Sequence, residues 1–145
     1  MKKIFTKICI ASDHAGYRLK EKIKDYLIDK SISVIDLGPF SGNSVDYPDY
    51  AKKVAKRLIL KKSDAGILVC GSGTGMAITA NKFKGIRAAQ CYSKLSTILS
   101  RQHNNSNIIC LGSRMLKYKE YLKYVTYFLN TKFEGGRHQT RINKI

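Results

Sequence analysis

The chain reads as an α/β protein: a three-layer αβα sandwich on a Rossmann-like, open, five-stranded parallel sheet in a single domain. Three observations carry that reading. Short runs rich in β-branched residues alternate with amphipathic stretches along the whole chain. The third of those runs shows no polar alternation, as expected of a strand buried on both faces. Glycines and polar residues gather just after the strands. Alternation of this kind implies right-handed crossovers and a parallel sheet covered by helices on both sides. At 145 residues the chain is the size of one domain and needs no disulfide or metal to hold its core.

Lys7-Ile8-Cys9-Ile10-Ala11 is the first predicted strand. Tyr17 to Lys30 places Leu19, Ile23, Tyr26 and Leu27 on one face with Lys and Glu opposite, which is a helix. Ser33 to Leu37 is the second strand, closed by Gly38-Pro39. A polar loop follows, and Pro48 suits the first turn of a helix running to about Lys62. Gly66 to Cys70 is the third strand, with a helix opening near Met76. Ile86 to Cys91 is the fourth strand, followed by a short helix leading to Arg101. Asn107 to Leu111 is the fifth, and Tyr118 to Leu129 a last helix with Tyr121, Tyr124, Tyr127 and Phe128. The tail from Phe133 is polar, and its composition alone would leave it frayed.

The net charge of +17, from 27 basic and 10 acidic residues, suits an anionic partner. The lysines are scattered, and Lys52-Lys53, Lys56-Arg57 and Lys61-Lys62 read as a solvated helix face. A nucleic-acid or nucleotide-binding module remains the alternative from another class; it would bind with steep salt dependence. No apolar run approaches the roughly 20 residues that cross a bilayer. Met1-Lys2-Lys3 is basic, but Asp13 and His14 interrupt the apolar stretch before a signal-peptide core forms. Cys9, Cys70, Cys91 and Cys110 form no CxxC pair and have no metal-ligand spacing, so four free thiols in a reducing cytoplasm are expected. Neither a membrane nor a nucleic acid is the expected partner.

Ligands of open parallel sheets bind beyond the carboxyl ends of the strands. There this sequence places Ser12-Asp13-His14, Asp46-Tyr47, Gly71-Ser72-Gly73-Thr74-Gly75, His103-Asn104 and Ser113-Arg114. The alternate glycines let the backbone turn tightly and aim several N–H groups at one anion. The spacing is neither G-x-G-x-x-G nor a Gly-Lys-Ser/Thr phosphate loop, so neither a dinucleotide nor a nucleoside triphosphate is indicated. Cys70 stands directly before those donors, where a thiolate is favoured as base or nucleophile. Singly, Cys70, His14 and His103 read equally well as structural residues, and Asp13 as a helix cap. Their coincidence at one sheet edge points to a site. Arg114, Arg137 and Arg141 supply the fork geometry that grips phosphate.

The ordered set Ser12-Asp13-His14-Ala15-Gly16, Asp46-Tyr47-Pro48, Cys70-Gly71-Ser72-Gly73-Thr74-Gly75, Ala80-Asn81-Lys82, Gly85-Ile86-Arg87-Ala88, Ser100-Arg101-Gln102-His103-Asn104, Leu111-Gly112-Ser113-Arg114 and Glu134-Gly135-Gly136-Arg137-His138-Gln139 resembles the type B ribose-5-phosphate isomerases. These share a superfamily with the sugar-phosphate isomerases of lactose and allose metabolism. The resemblance implies interconversion of ribose 5-phosphate and ribulose 5-phosphate through a cis-enediolate, with neither metal nor cofactor. It implies Cys70 as the base and the N–H groups of Gly71, Ser72, Gly73, Thr74 and Gly75 as holders of the oxyanion, with the Ser72 hydroxyl added. It implies His103 for opening the furanose ring, Asn104 for bonding the intermediate and Asp13 for the sugar hydroxyls. His14, Arg114, Arg137 and Arg141 would hold the phosphate, with Tyr47 lining the pocket. It further implies a cytoplasmic homodimer with shared sites, the polar tail 132–145 packed at the interface, and a dimer of dimers as an option. Some relatives carry an acidic base where this chain has Met76. A six-carbon sugar phosphate stays open as substrate.

Overall fold

In the computed structural model, which describes residues 4–145, five parallel strands form one sheet in the order β2-β1-β3-β5-β4. They are β1 (Ile8–Ser12), β2 (Val34–Asp36), β3 (Ala65–Cys70), β4 (Ala88–Gln90) and β5 (Ile108–Gly112). The helices are α1 (Tyr17–Asp29), α2 (Tyr47–Ile59), α3 (Thr74–Ala80), α4 (Lys94–Gln102), α5 (Tyr118–Asn130) and α6 (Arg137–Ile142). The basic start at Met1, Lys2 and Lys3 lies outside the described residues.

Strand side chains alternate between two cores, the consequence of a period of two. Ile8, Ile10, Ile67, Val69, Ile109 and Leu111 pack with Leu19, Ile23 and Leu27 of α1 and Tyr121, Val125 and Phe128 of α5. Cys9, Leu68, Cys70, Ile108 and Cys110 pack on the opposite face with Val54 and Leu58 of α2 and Met76 of α3. β1, β3 and β5 are buried at every position, which explains the absence of polar alternation there. The same alternation turns the Cys70 side chain toward α2 and α3.

The strands and helices stand where the sequence places them, with ends shifted by a few residues. α1 stops at Asp29 because Ser31 takes a left-handed φ of 59° and Ile32 N–H returns to the Leu27 carbonyl. Lys61, with φ 57°, ends α2 in the same manner, short of Lys62. β4 is three residues rather than six. Asn81 takes both outward backbone groups of Ala88, its Oδ1 accepting from the N–H at 2.8 Å and its Nδ2 donating to the carbonyl at 2.9 Å. This side chain blunts the sheet edge. The tail, which composition alone would leave frayed, is ordered. Gly135 and Gly136 both adopt positive φ, reverse the chain and launch α6, whose His138 is 6 % exposed.

Lys20 on α1 is fully buried, and its ammonium donates to both Asp36 oxygens at 2.8 Å and to the Pro39 carbonyl at 2.7 Å. Lys24 donates to the same carboxylate at 2.7 Å. Burial pushes the Asp36 carboxyl up, but bonds from Lys20, Lys24 and the Gly38 N–H outweigh it and hold it below the ordinary carboxylate range. The cluster ties α1 to the turn after β2, from which the chain runs on to Tyr47. Removing one partner of a buried pair strands the other, so Lys20→Met should lower the unfolding free energy by about 3 kcal/mol in urea titrations at neutral pH. The stability contributed by Asp36 is present above its unfolded pKa and is lost as the pH falls through the lower folded value. Asp36→Asn should therefore lose less stability than the parent protein on acidification.

Candidate active site

The sheet order reverses direction between β1 and β3, and a crevice opens outside their carboxyl ends, as such switch points do. A cavity of about 390 Å³ there is lined by Asp13, Tyr47, Cys70, Gly71, Ser72, Gly75, Arg114 and Met115. Seven of these eight are residues the sequence reading selected; Met115 is not. A second cavity, of about 370 Å³, lies at the amino ends of the strands among Phe5, Ile8, Ile32 and Leu129, and is mainly apolar.

The turn after β3 is built around its sulfur. Gly73 adopts φ 83°, and a Cβ there would stand 3.1 Å from the Leu111 backbone. Only glycine suits that position. In this conformation the Gly73 N–H donates to Cys70 Sγ at 3.1 Å. The sulfur is thereby fixed by a backbone donor inside the turn. Burial pushes Cys9 up to about 11, raises Cys91, and raises Cys110 well above the usual thiol range, outweighing the hydrogen bonds from Ser63 to Cys9 and from Thr97 and Ser100 to Cys91. Gly75 has a different constraint, since a Cβ there would meet the Tyr47 ring at 2.5 Å. That close approach brings the half-exposed Tyr47 to the pocket wall.

The expected nest of five donors is smaller in the fold. The Gly73 N–H is taken by Cys70, and the Thr74 N–H donates to Ser72 Oγ at 3.2 Å. The N–H groups of Gly71, Ser72 and Gly75 remain for an anion among the described residues. Gly73 and Thr74 thus shape the loop, and the Thr74 hydroxyl turns away to accept from Gln90 Nε2 at 2.6 Å. Gln90 also donates to the Ser72 carbonyl at 3.1 Å, as does the Tyr92 hydroxyl. These two residues bracket the loop from behind. Gln90 ends β4 and Tyr92 lies just past it, a position legible in the sequence for Tyr92, but no motif assigns either residue this work.

Asp13 is 7 % exposed and its Oδ1 accepts from the Gly16 N–H at 2.9 Å, so it caps the entry to α1 while facing the cavity. Arg114 is exposed, and its Nη1 would stand 3.0 Å from a Cβ on Gly71. His14 does not line the cavity; its Nδ1 meets the Val45 carbonyl at 3.1 Å and the Val45 N–H at 3.2 Å, tying α1 to the 41–46 loop. Met76 is fully buried beside Cys70, so no titrating side chain stands there.

The remaining candidates form a second group. His103 caps the end of α4, and its ring stacks on His138 of α6 with centroids 4.2 Å apart and planes within 12°. Arg137 and Arg141 stand exposed on the same short helix, and Asn104 is exposed beside His103. None of His103, Asn104, Arg137 and Arg141 lines the Cys70 cavity of the same chain. His138 was missed as a partner because no local spacing links it to His103. His103, Glu134 and His138 bring ligand-type atoms within 4.8 Å of one another. Two parallel imidazoles cannot both hold one ion in plane, and Arg137 and Arg141 add repulsion, so the trio does not fit a cation in this arrangement.

No helix among the described residues is long and apolar enough to cross a membrane. The sequence model of the Ribose/Galactose Isomerase family matches residues 8–145. The fold superposes on a ribose 5-phosphate isomerase from Thermotoga maritima with a TM-score of 0.94 and 51 % identity, covering 96 % of each chain. It matches ribose-5-phosphate isomerase B from Mycoplasma genitalium, solved with bound ribulose-5-phosphate, with a TM-score of 0.91 and 46 % identity over 95 % of this chain and 92 % of that one. Ribose-5-phosphate isomerase B of Escherichia coli is 43 % identical over 139 residues, 96 % of this chain and 93 % of its own length. With its fold and nearly its whole length in common with these proteins, the chain belongs to the Ribose/Galactose Isomerase family.

Proposed function

We propose that the protein interconverts D-ribose 5-phosphate and D-ribulose 5-phosphate, the non-oxidative isomerisation of the pentose phosphate pathway, with Cys70 as the base. The single observation that carries the reading is the Gly73 N–H aimed at Cys70 Sγ in a cavity shared with Asp13, Tyr47 and Arg114. A helix of only seven residues has a weak dipole, so the direct hydrogen bond is the main local support for a thiolate. The relatives named above act on this substrate pair or hold its ketose, which supports the same chemistry here.

His103 opens the furanose: the C1 hydroxyl gives up its proton, the C1–O4 bond breaks, and O4 receives a proton. The Cys70 thiolate then takes the proton from C2, the C2–H electron pair forms the C1–C2 double bond, and charge moves to O1. The N–H groups of Gly71, Ser72 and Gly75 stabilise the cis-enediolate, each donor worth about 3–4 kcal/mol at a developing oxyanion. A proton passes from O2 to O1 and the thiol returns its proton to C1, leaving the ketose. Asp13 binds sugar hydroxyls, Asn104 holds the intermediate, and Tyr47 closes the wall. Arg114, Arg137 and Arg141 bind the phosphate, and the resemblance adds His14, which stands outside the cavity lining. No metal or cofactor is asked to act.

Two copies of the chain make the site. Cys70, Asp13 and Arg114 line the cavity of one copy, while His103 and Asn104 just after α4, and Arg137 and Arg141 on α6, sit apart from it, available to a second copy's cavity. The tail 132–145 then lies at the interface of a homodimer. Four unpaired thiols suit a reducing cytoplasm.

Cys70→Ala should cut turnover of ribose 5-phosphate by about 10²–10⁴-fold while leaving the fold intact; a variant with full activity refutes the base. Ratios of kcat/KM on five- and six-carbon sugar phosphates check the substrate. Iodoacetamide should label Cys70 before Cys9, Cys91 and Cys110, and substrate should protect it; mass spectrometry of tryptic peptides reads this directly. The shared site has its own check. Cys70→Ala and His103→Ala, each inactive, should regain about a quarter of parental activity when unfolded and refolded together, since each mixed dimer keeps one intact site. No recovery would place both residues in one subunit's site.

A further inference from the structure

The His103–His138 stack is not used by the chemistry just described, yet the fold goes to some length to make it. Two consecutive glycines of positive φ turn the tail back, and the Glu134 N–H is pinned to the Gln102 carbonyl at 3.0 Å, next to His103 in sequence. The His138 N–H returns to Gly135 at 3.1 Å, and its ring ends 6 % exposed, lying flat on His103. We propose that His138 is a positioning residue: it holds the His103 imidazole by its face, so that both His103 nitrogens stay available to exchange protons with the furanose C1 hydroxyl and O4. This rests on the reading of His103 as the ring-opening group.

The physical case concerns what a ring-opening imidazole needs. It accepts one proton and delivers another, so a carboxylate bonded to one nitrogen would fix the tautomer and occupy half of the ring's edge. A stack uses neither nitrogen. It requires a flat partner, and a neutral one, since a charged His138 would repel His103 as that ring takes up its proton. The surroundings meet both needs. Burial comes first, then the charges of His103, Arg137 and Arg141, in keeping the His138 pKa below the ordinary histidine value; only Glu134, with Oε2 3.7 Å from Nε2, opposes them.

The test separates ring opening from proton transfer at carbon. Ribulose 5-phosphate has no C5 hydroxyl free to close a furanose, so exchange of its C1 hydrogen in D2O reports on Cys70 without His103. His138→Ala should lower kcat on ribose 5-phosphate by about 10–100-fold, the cost of a misplaced catalytic group, with KM within threefold and C1 exchange within threefold of the parent. His138→Phe, flat and uncharged, should restore most of the lost kcat and flatten the acid side of the pH profile. The proposal is overturned if His138→Ala turns over ribose 5-phosphate normally, if exchange falls with turnover, or if His138→Phe is as slow as His138→Ala. Failure of the parent protein to isomerise ribose 5-phosphate would instead sink the functional reading beneath it, and is seen before any variant is compared.

Discussion

The structure turns on the handover from β3 to its glycine turn. β3 is the middle strand, paired to β1 on one side and to β5 on the other, so its end is held from both sides. The turn runs close against β5, since a Cβ on Gly73 would meet the Leu111 backbone at the end of that strand. Packed in this way, the Gly73 N–H donates to the sulfur three residues back. The hydrogen bonding of Cys70 is therefore set by the geometry of the strand end and its turn. In the three remaining cysteines, fully buried in the same sheet and its flank, desolvation outweighs the hydrogen bonds that Ser63 gives Cys9 and that Thr97 and Ser100 give Cys91, and the thiols are pushed up.

A second fixed point organises the other half of the residues. Arg101 is 2 % exposed and has no carboxylate partner among the described residues. Its guanidinium donates to the Thr131 carbonyl at 3.0 Å, to Asn105 Oδ1 at 3.0 Å and to the Ser106 carbonyl at 2.6 Å, lying over the rings of Phe5 and Phe128. Desolvation, aided by Arg87, lowers its pKa to about 10, which still leaves it charged at neutral pH. A buried cation solvated by carbonyls and ring faces costs most when any one partner moves. It locks the end of α4, where His103 sits, to the exit of α5, from which the tail departs. His103 and His138 thus meet across a joint that Arg101 sets.

These two fixed points differ in how far the sequence reveals them. The strand order of burial, the turn and Cys70 are legible because each is a local pattern: alternation lost on β3, glycines at fixed offsets, a thiol at their head. The short β4 is not, because Asn81 reaches its edge through the fold. The engagement of Thr74 N–H by Ser72 Oγ is equally invisible in a glycine count, and it trims the set of donors left for a ligand. The tail is the clearest case. Its polarity argues for fraying, yet one buried histidine and two turn glycines make it a helix, because the ring it covers lies on α4.

The division of basic residues gives the charge a physical meaning beyond its sum. Lys20 and Lys24 neutralise Asp36 inside the fold, and Arg101 is solvated by carbonyls, so none of these is offered to a ligand. Arg114, Arg137 and Arg141 are different: exposed, and without a carboxylate partner among the described residues. Bringing such groups together around one cavity, as the proposed dimer does, costs repulsion that a dianionic phosphate removes. Association and substrate binding are then linked, because each lowers the free-energy cost of the other. On that view the tail arginines are held on a short, well-anchored helix because they must face another molecule's anion. A frayed tail would surrender in ordering entropy much of what the phosphate contacts contribute.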